Sequence, residues 1–351
     1  MVSIRPCGDF KNSYEQDEAI FQTRFMKIIV GLFIVFLLIL PQFLSPYLLY
    51  LANTVSIAII GALGMNIVTG FTGLISLGQG ALIGVGAYTV AILSSKLGFP
   101  VWAALPLAGF MAALAGMIIG APSLRLKGFY LAMATMAGHY IIWFVLWNWV
   151  DLTGGPGGIA VKKPVLFGLD LNRDDLHFYY LALPMAILAI FACKNLFRTR
   201  VGRAFIAIRD RDLSAEVIGV NLFKYKLLSF FISSFYAGIT GGLFAYYMKL
   251  INPEAFQLFM AIDYLAMIIV GGMGSILGSI YGAIFIVLVP EILQRIIEYA
   301  SRFIPLQNIF APLREIIFGL MIVLFLIFKP EVIAKMWEDA KAYFKLWPYA
   351  Y

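Results

Sequence analysis

Apolar runs of roughly 20 residues recur along this chain, and each is about the length a helix needs to cross the ~30 Å hydrocarbon layer of a bilayer. They fall near residues 27–45, 48–67, 79–97, 100–120, 128–149, 177–196, 227–250, 256–272, 275–293 and 313–329. Runs this long suit helices, whose backbone groups are satisfied within the segment. The pattern predicts an all-α fold, a polytopic transmembrane helical bundle of about ten spans, or about eight to nine if a glycine-rich piece is re-entrant. Composition agrees, with 62% hydrophobic and 13% charged residues and a mean hydropathy of +0.90, far outside the range of soluble domains.

The net charge of +7 could suggest nucleic acid, but the Lys and Arg residues cluster between apolar runs, as the positive-inside rule expects for membrane topology. The loop 197–226 carries Arg198, Arg200, Arg203, Arg209, Arg211, Lys224 and Lys226 against three carboxylates, which predicts a cytoplasmic position. The turn with Arg125 and Lys127 agrees. The stretch from Asp151 to Asp175 balances its charges and suits the outside. This predicts a cytoplasmic N-terminal segment 1–26, a transmembrane domain 27–329 and a cytoplasmic C-terminal tail 330–351, with both termini cytoplasmic. Arg295 and Arg302 disobey, and 291–312 reads as an interfacial helix with Glu291 and Glu298 as partners for those arginines. The first 27 residues mix both signs of charge, and no small-residue cleavage site follows the first apolar run, so no cleaved signal peptide is expected. Cys7 and Cys193 are too few for a disulfide framework or metal site.

Glycine is a poor helix former, costing roughly 1 kcal/mol per interior position relative to alanine, yet "TGLISLGQGALIGVGAYTVAIL" (72–93) has Gly73, Gly78, Gly80, Gly84 and Gly86. Gly80 and Gly84 stand at small-xxx-small spacing, which lets helix backbones approach. "IIVGGMGSILGSIYGAIF" (268–285) repeats the device with Gly271 and Gly272, and with Gly274, Gly278 and Gly282 at i, i+4, i+8. Two such segments in corresponding halves point to an architecture of two pseudo-symmetric halves and to broken helices lining a translocation path. Tight packing alone is the alternative for any single glycine.

Between the halves, "LTGGPGGIAV" (152–161) cannot continue a helix. It lacks the Lys and Ser/Thr of a phosphate loop, and no Gly-Lys dipeptide occurs in the chain, so any ATP used must be hydrolysed elsewhere. Asp263 and His139 are the candidate intramembrane polar residues. Asp263 reads either as functional or as reaching the interface, and His139 either as a packed histidine or as a proton relay. With so few ionisable groups, an ion-coupled secondary transporter is the weaker reading. No constellation for an enzyme or a metal is present.

Four motifs in order, "GFTGLISLGQGALIGVGAY" (70–88), "LTGGPGGI" (152–159), "GRAFIAIRDRDLSAEVIGVN" (202–221) and "IVGGMGSILGSIYGAIF" (269–285), resemble the permease subunits of branched-chain amino-acid ABC importers, of the LivM type. The resemblance covers roughly residues 50–330. Gln79 stands where many relatives have histidine, and Ser279 where a proline often follows the glycine. The resemblance implies a multi-pass subunit of a bacterial or archaeal cytoplasmic (inner) membrane. It implies a complex with a second, related permease subunit, two cytoplasmic ATPase subunits that bind the ATP, and an external solute-binding protein. The chain itself would hold no cofactor and no nucleic acid. Import by alternating access is also implied, of branched-chain or other amino acids, with urea or short amides as the alternative within the family.

The loop 197–226 is the expected coupling element. Asp212 can cap a helix and Gly219 can end it, leaving "LSAEVI" as a helix too short to stand without contacts. Arg203, Ala215, Glu216 and Gly219 resemble the coupling signature of importer permeases, and an exposed, small-residue helix would enter a groove on the ATPase.

Overall fold

A computed structural model describes residues 24–126, 128–162, 165–166, 169–170 and 175–300, with isolated positions 316, 319, 320 and 323. The expected tail 330–351 and most of the expected span 313–329 lie outside the described residues.

The helices follow the apolar runs. They are α1 (Arg24–Ile39), α2 (Pro46–Met65), α3 (Gln79–Ser95), α4 (Val101–Ser123), α5 (Phe129–Asn148), α6 (Asp175–Leu196), α7 (Arg200–Asp210), α8 (Asp212–Val217), α9 (Leu222–Met248), α10 (Leu258–Gly271) and α11 (Ile276–Ala300). Local chemistry sets their ends. Pro46 opens α2, where its missing N–H costs nothing. The Thr199 hydroxyl accepts from the Gly202 N–H to start α7, and Asn221 accepts from Lys224 N–H to start α9. Lys249 ends α9 in the left-handed region at φ 65°.

Six helices are long and apolar enough to cross a membrane: Pro46–Phe71 (with its terminal π-turn), Val101–Ser123, Phe129–Asn148, Asp175–Leu196, Leu222–Met248 and Ile276–Ile296. The apolar helices α1, α3 and α10 are shorter, at 16, 17 and 14 residues. The protein is therefore an all-α, multi-pass membrane bundle, with six full-length spans among the described residues where about ten were expected. Residues 291–300 of the expected interfacial helix at 291–312 continue α11 past Pro290 to Ala300 and do not form a separate helix.

Helix α3 is the core. Tightly packed against α9, α4, α5 and α10, it buries Gln79 to Gly84, and Gly86, Ala87, Tyr88, Val90 and Ala91 besides. Backbone meets backbone there: a Cβ on Gly86 would strike Gly238 of α9, and one on Gly241 would strike Ile83. The outward faces are apolar, with Ile28, Leu32, Phe33 and Phe36 of α1 and Phe110, Leu114 and Ile118 of α4 exposed, as surfaces meant for lipid would be. Chain segments between α5 and α6 add two short antiparallel ladders, Ile159–Ala160 with Leu250–Ile251 and Val165–Leu166 with Leu169–Asp170.

Candidate functional site

The glycine motifs mark places where membrane helices break. α2 passes into a π-helical turn, Asn66–Phe71, and the chain then runs non-helically from Gly73 to Gly78 before α3 begins. Backbone groups on this stretch are paired: Leu74 N–H donates to Val68 O (3.0 Å), Leu77 N–H to Thr135 Oγ1 (3.0 Å), and Thr69 Oγ1 donates to Leu74 O (3.2 Å). Such pairing is what permits irregular backbone at membrane depth. A second break precedes α10, where Pro253–Phe256 forms a 3₁₀ turn whose Pro253 carbonyl accepts from Trp143 Nε1 (3.0 Å). A third is the turn between α10 and α11, where Gly272 and Gly274 take φ of 134° and 76°, values that favour glycine.

Asn66 ties the first break to the third. Fully buried, its Nδ2 donates to Ser279 Oγ (2.6 Å) and Ser275 O (2.8 Å), and its Oδ1 accepts from Gly274 N–H (2.9 Å). Gly70 has no room for a side chain, since a Cβ would collide with Asn66 Oδ1 and the Gly274 N–H. Arg209, at the end of α7, joins the same knot: Nη1 donates to Gly70 O (3.1 Å), its aliphatic stem lies beside Gly73, and Asp210 pairs with it at 3.3 Å. A cleft of about 380 Å³ opens beside it, lined by Gly73, Gly128, Arg211 and Lys226 among others, and Lys226 pairs with Asp212 at 3.8 Å. Asn66 and Arg209 were not among the sequence candidates for a path or for coupling. An asparagine inside an otherwise apolar run was the available signal for the first, and nothing local distinguished Arg209 from its basic neighbours.

Five of the expected glycines sit at helix crossings, and Gly73, Gly78, Gly272 and Gly274 fall in the breaks. Gly80 packs on His139, Gln257 and Ala261, and Gly84 on Phe256 and Leu146. Gly78 ends the break before α3. The strip of Gly274, Gly278 and Gly282 is corrected: Gly274 lies in the turn, and the helix crossing is made by Gly278 and Gly282 of α11 against Gly271 of α10. Gln79 is buried, its Nε2 donating to Gly61 O (3.3 Å) while its Oε1 accepts from Ser233 (3.5 Å). His139 is buried with Nδ1 accepting from Ala81 N–H (3.2 Å). Asp263 stands on the open face of α10 beside Ile262 and makes no hydrogen bond or salt bridge among the described residues.

A short helix, α8, lies where the coupling element was expected, and it differs from the expectation in two ways. Asp212 is its first residue and Arg211 occupies the cap position. The small residue is the hidden one: Ala215 is buried, while Leu213, Val217 and Ile218 stand out at 68, 76 and 87% exposure for Leu213, Ile218 and Val217 respectively. Glu216 and Arg203 are also exposed. Gly219 ends α8 at φ 92°, with Val220 N–H donating to Ala215 O and Gly219 N–H to Glu216 O, a Schellman closure. No group of three or more His, Cys, Asp or Glu that could hold a metal occurs among the described residues.

The family described as "Branched-chain amino acid transport system / permease component" matches residues 47–326. The chain is 35% identical to the high-affinity branched-chain amino acid transport system permease protein LivM of Escherichia coli, over 87% of this chain and 75% of that one. It is 34% identical to the protein of the same name from Salmonella typhimurium, over 82% and 69%. A more distant likeness, 25% over 76% and 82%, is to a ribose import permease protein of Haemophilus influenzae. No solved structure matches.

Proposed function

This chain belongs to the permease components of branched-chain amino acid transport systems, and from that premise we propose that it is one transmembrane subunit of an ATP-driven importer for branched-chain amino acids. In this reading α7 and α8 lie on the cytoplasmic side, an external binding protein delivers the solute, a second related permease completes the path, and two ATPase subunits bind and hydrolyse ATP. The chain does no chemistry of its own.

The observation that carries the reading is the knot around Arg209. A short helix projecting Leu213, Val217 and Ile218 into solvent is suited to seat in a partner's groove, and the helix before it is bonded at Gly70 to the break in α2 and, through Asn66, to the α10–α11 turn. Motion of α8 is thereby delivered to the break in α2 and the α10–α11 turn together. Proteoliposomes holding this chain with its second permease and ATPases, supplied with binding protein, should take up leucine, isoleucine and valine when ATP is present. Uptake driven by an ion gradient without ATP, or ATP-driven uptake of urea, short amides or ribose in place of amino acids, would overturn the proposal.

A further inference from the structure

Two of the three apolar helices that are shorter than a span, α3 and α10, begin side by side. Gly80, in the first turn of α3, lies against Gln257 O and Ala261 N at the start of α10, with approaches of 3.1 and 3.3 Å for a Cβ placed on it. Counting down α3 from Ser95, which bonds the Ala160 carbonyl at its other end, this meeting point lies roughly 22 Å along the helix at 1.5 Å per residue. Neither helix start has a side-chain cap at its N-cap residue, so two positive helix poles converge inside the bundle.

His139 stands between them. Its Nδ1 accepts from Ala81 N–H, so a neutral ring carries its proton on Nε2. That Nε2 is buried with no hydrogen bond of good geometry, and the Phe256 carbonyl is the backbone acceptor near it. His139 also lines a cavity of about 340 Å³ between α5 and α10, walled by Trp143, Leu258, Phe259 and Ile262. The volume suits one small molecule with an apolar side chain. One turn along α10 from Phe259, on the same face, is the unpaired Asp263. A carboxylate within an apolar membrane helix is costly against lipid, so this face borders protein or a water-filled path.

We propose that this cavity is a waypoint for a zwitterionic amino acid in transit, holding its carboxylate against His139 Nε2–H and the opening turns of α3 and α10, with its ammonium toward Asp263. The inference rests on the importer reading and adds a place inside the membrane where the solute is recognised. The grip is weak by construction, because a neutral imidazole and two helix poles of about half a charge each replace a full cation, which allows release.

The test uses the complete complex in proteoliposomes, with Cys7→Ser and Cys193→Ala as background. Ile262→Cys, at a site open to the cavity, should react with a small water-soluble thiol reagent. L-leucine at ten times its dissociation constant should slow that reaction about tenfold. His139→Gln or Asp263→Asn added to this background should abolish the protection. If the complex imports leucine with ATP but Ile262→Cys does not react or is not protected, the waypoint is overturned and the importer reading stands. Protection that survives both added substitutions overturns the assignment as well. A complex that imports no amino acid overturns both.

Discussion

Arg209 and Gly70, 139 positions apart, are joined by a 3.1 Å hydrogen bond from the guanidinium to a backbone carbonyl at the end of a π-turn. A π-turn leaves carbonyls without their usual helical partners, and a charged donor from another helix fills one such vacancy. The bond therefore relates the state of α7 to the state of the break in α2.

Arg209→Leu should leave the complex assembled and uncouple it. Losing a hydrogen bond to a charged donor costs about 1.5–3 kcal/mol, enough to reduce leucine moved per ATP hydrolysed by about tenfold or more. The measurement is the ratio of uptake to phosphate release, and an unchanged ratio would show that the bond transmits nothing.

Asn66→Leu removes three hydrogen bonds at once and strands the Gly274 N–H in the bundle. Each unsatisfied buried group costs about 1–3 kcal/mol, so thermal unfolding in detergent should begin several degrees earlier. Wild-type thermal stability would mean that the α10–α11 turn is held by other contacts.

Gly282→Val should block assembly or uptake, because even a Cβ there would run into the Met267 carbonyl of α10. Gly31→Val, on α1 with nothing within 4 Å of its Cβ position, is the matched control and should behave as wild type. Equal behaviour of the two variants would remove close packing as the reason for the glycines.

Leu213→Asp with Val217→Asp should detach the ATPase subunits while the chain still inserts, since both side chains stand mostly in solvent. Glu216→Lys tests the charge separately. Normal co-purification of the ATPases with both variants would sink the assignment of α8 as the coupling element.

The helices were legible because lipid imposes one length and one polarity on every span, and α2, α4, α5, α6 and α9 fall within a few residues of the apolar runs. Gly154 and Gly158, at φ of 70° and 71°, hold the turn that the Gly-Pro cluster demanded. Less was legible where meaning lay in pairing across the chain. Ala215 reads as an exposed small residue but is buried in the fold, and Gly274 falls in register with Gly278 although its φ of 76° excludes it from a helix. Asn66 and Ser279 are 213 positions apart, and no local pattern announces such a bond.

The central position of α3 has a consequence for how the protein is made. Its backbone meets Gly238 and Gly241 of α9 at Gly86 and Ile83, and the last residue of α9, Met248, leaves the ribosome 153 residues after Ser95. At about 5–20 residues per second, α3 waits on the order of eight to thirty seconds for its partner, with only 17 residues, short of the roughly 20 a span needs, to hold it in lipid meanwhile. The protein's centre is therefore among the last parts of its fold to be sealed, and the insertion machinery must shelter α3 until α9 arrives.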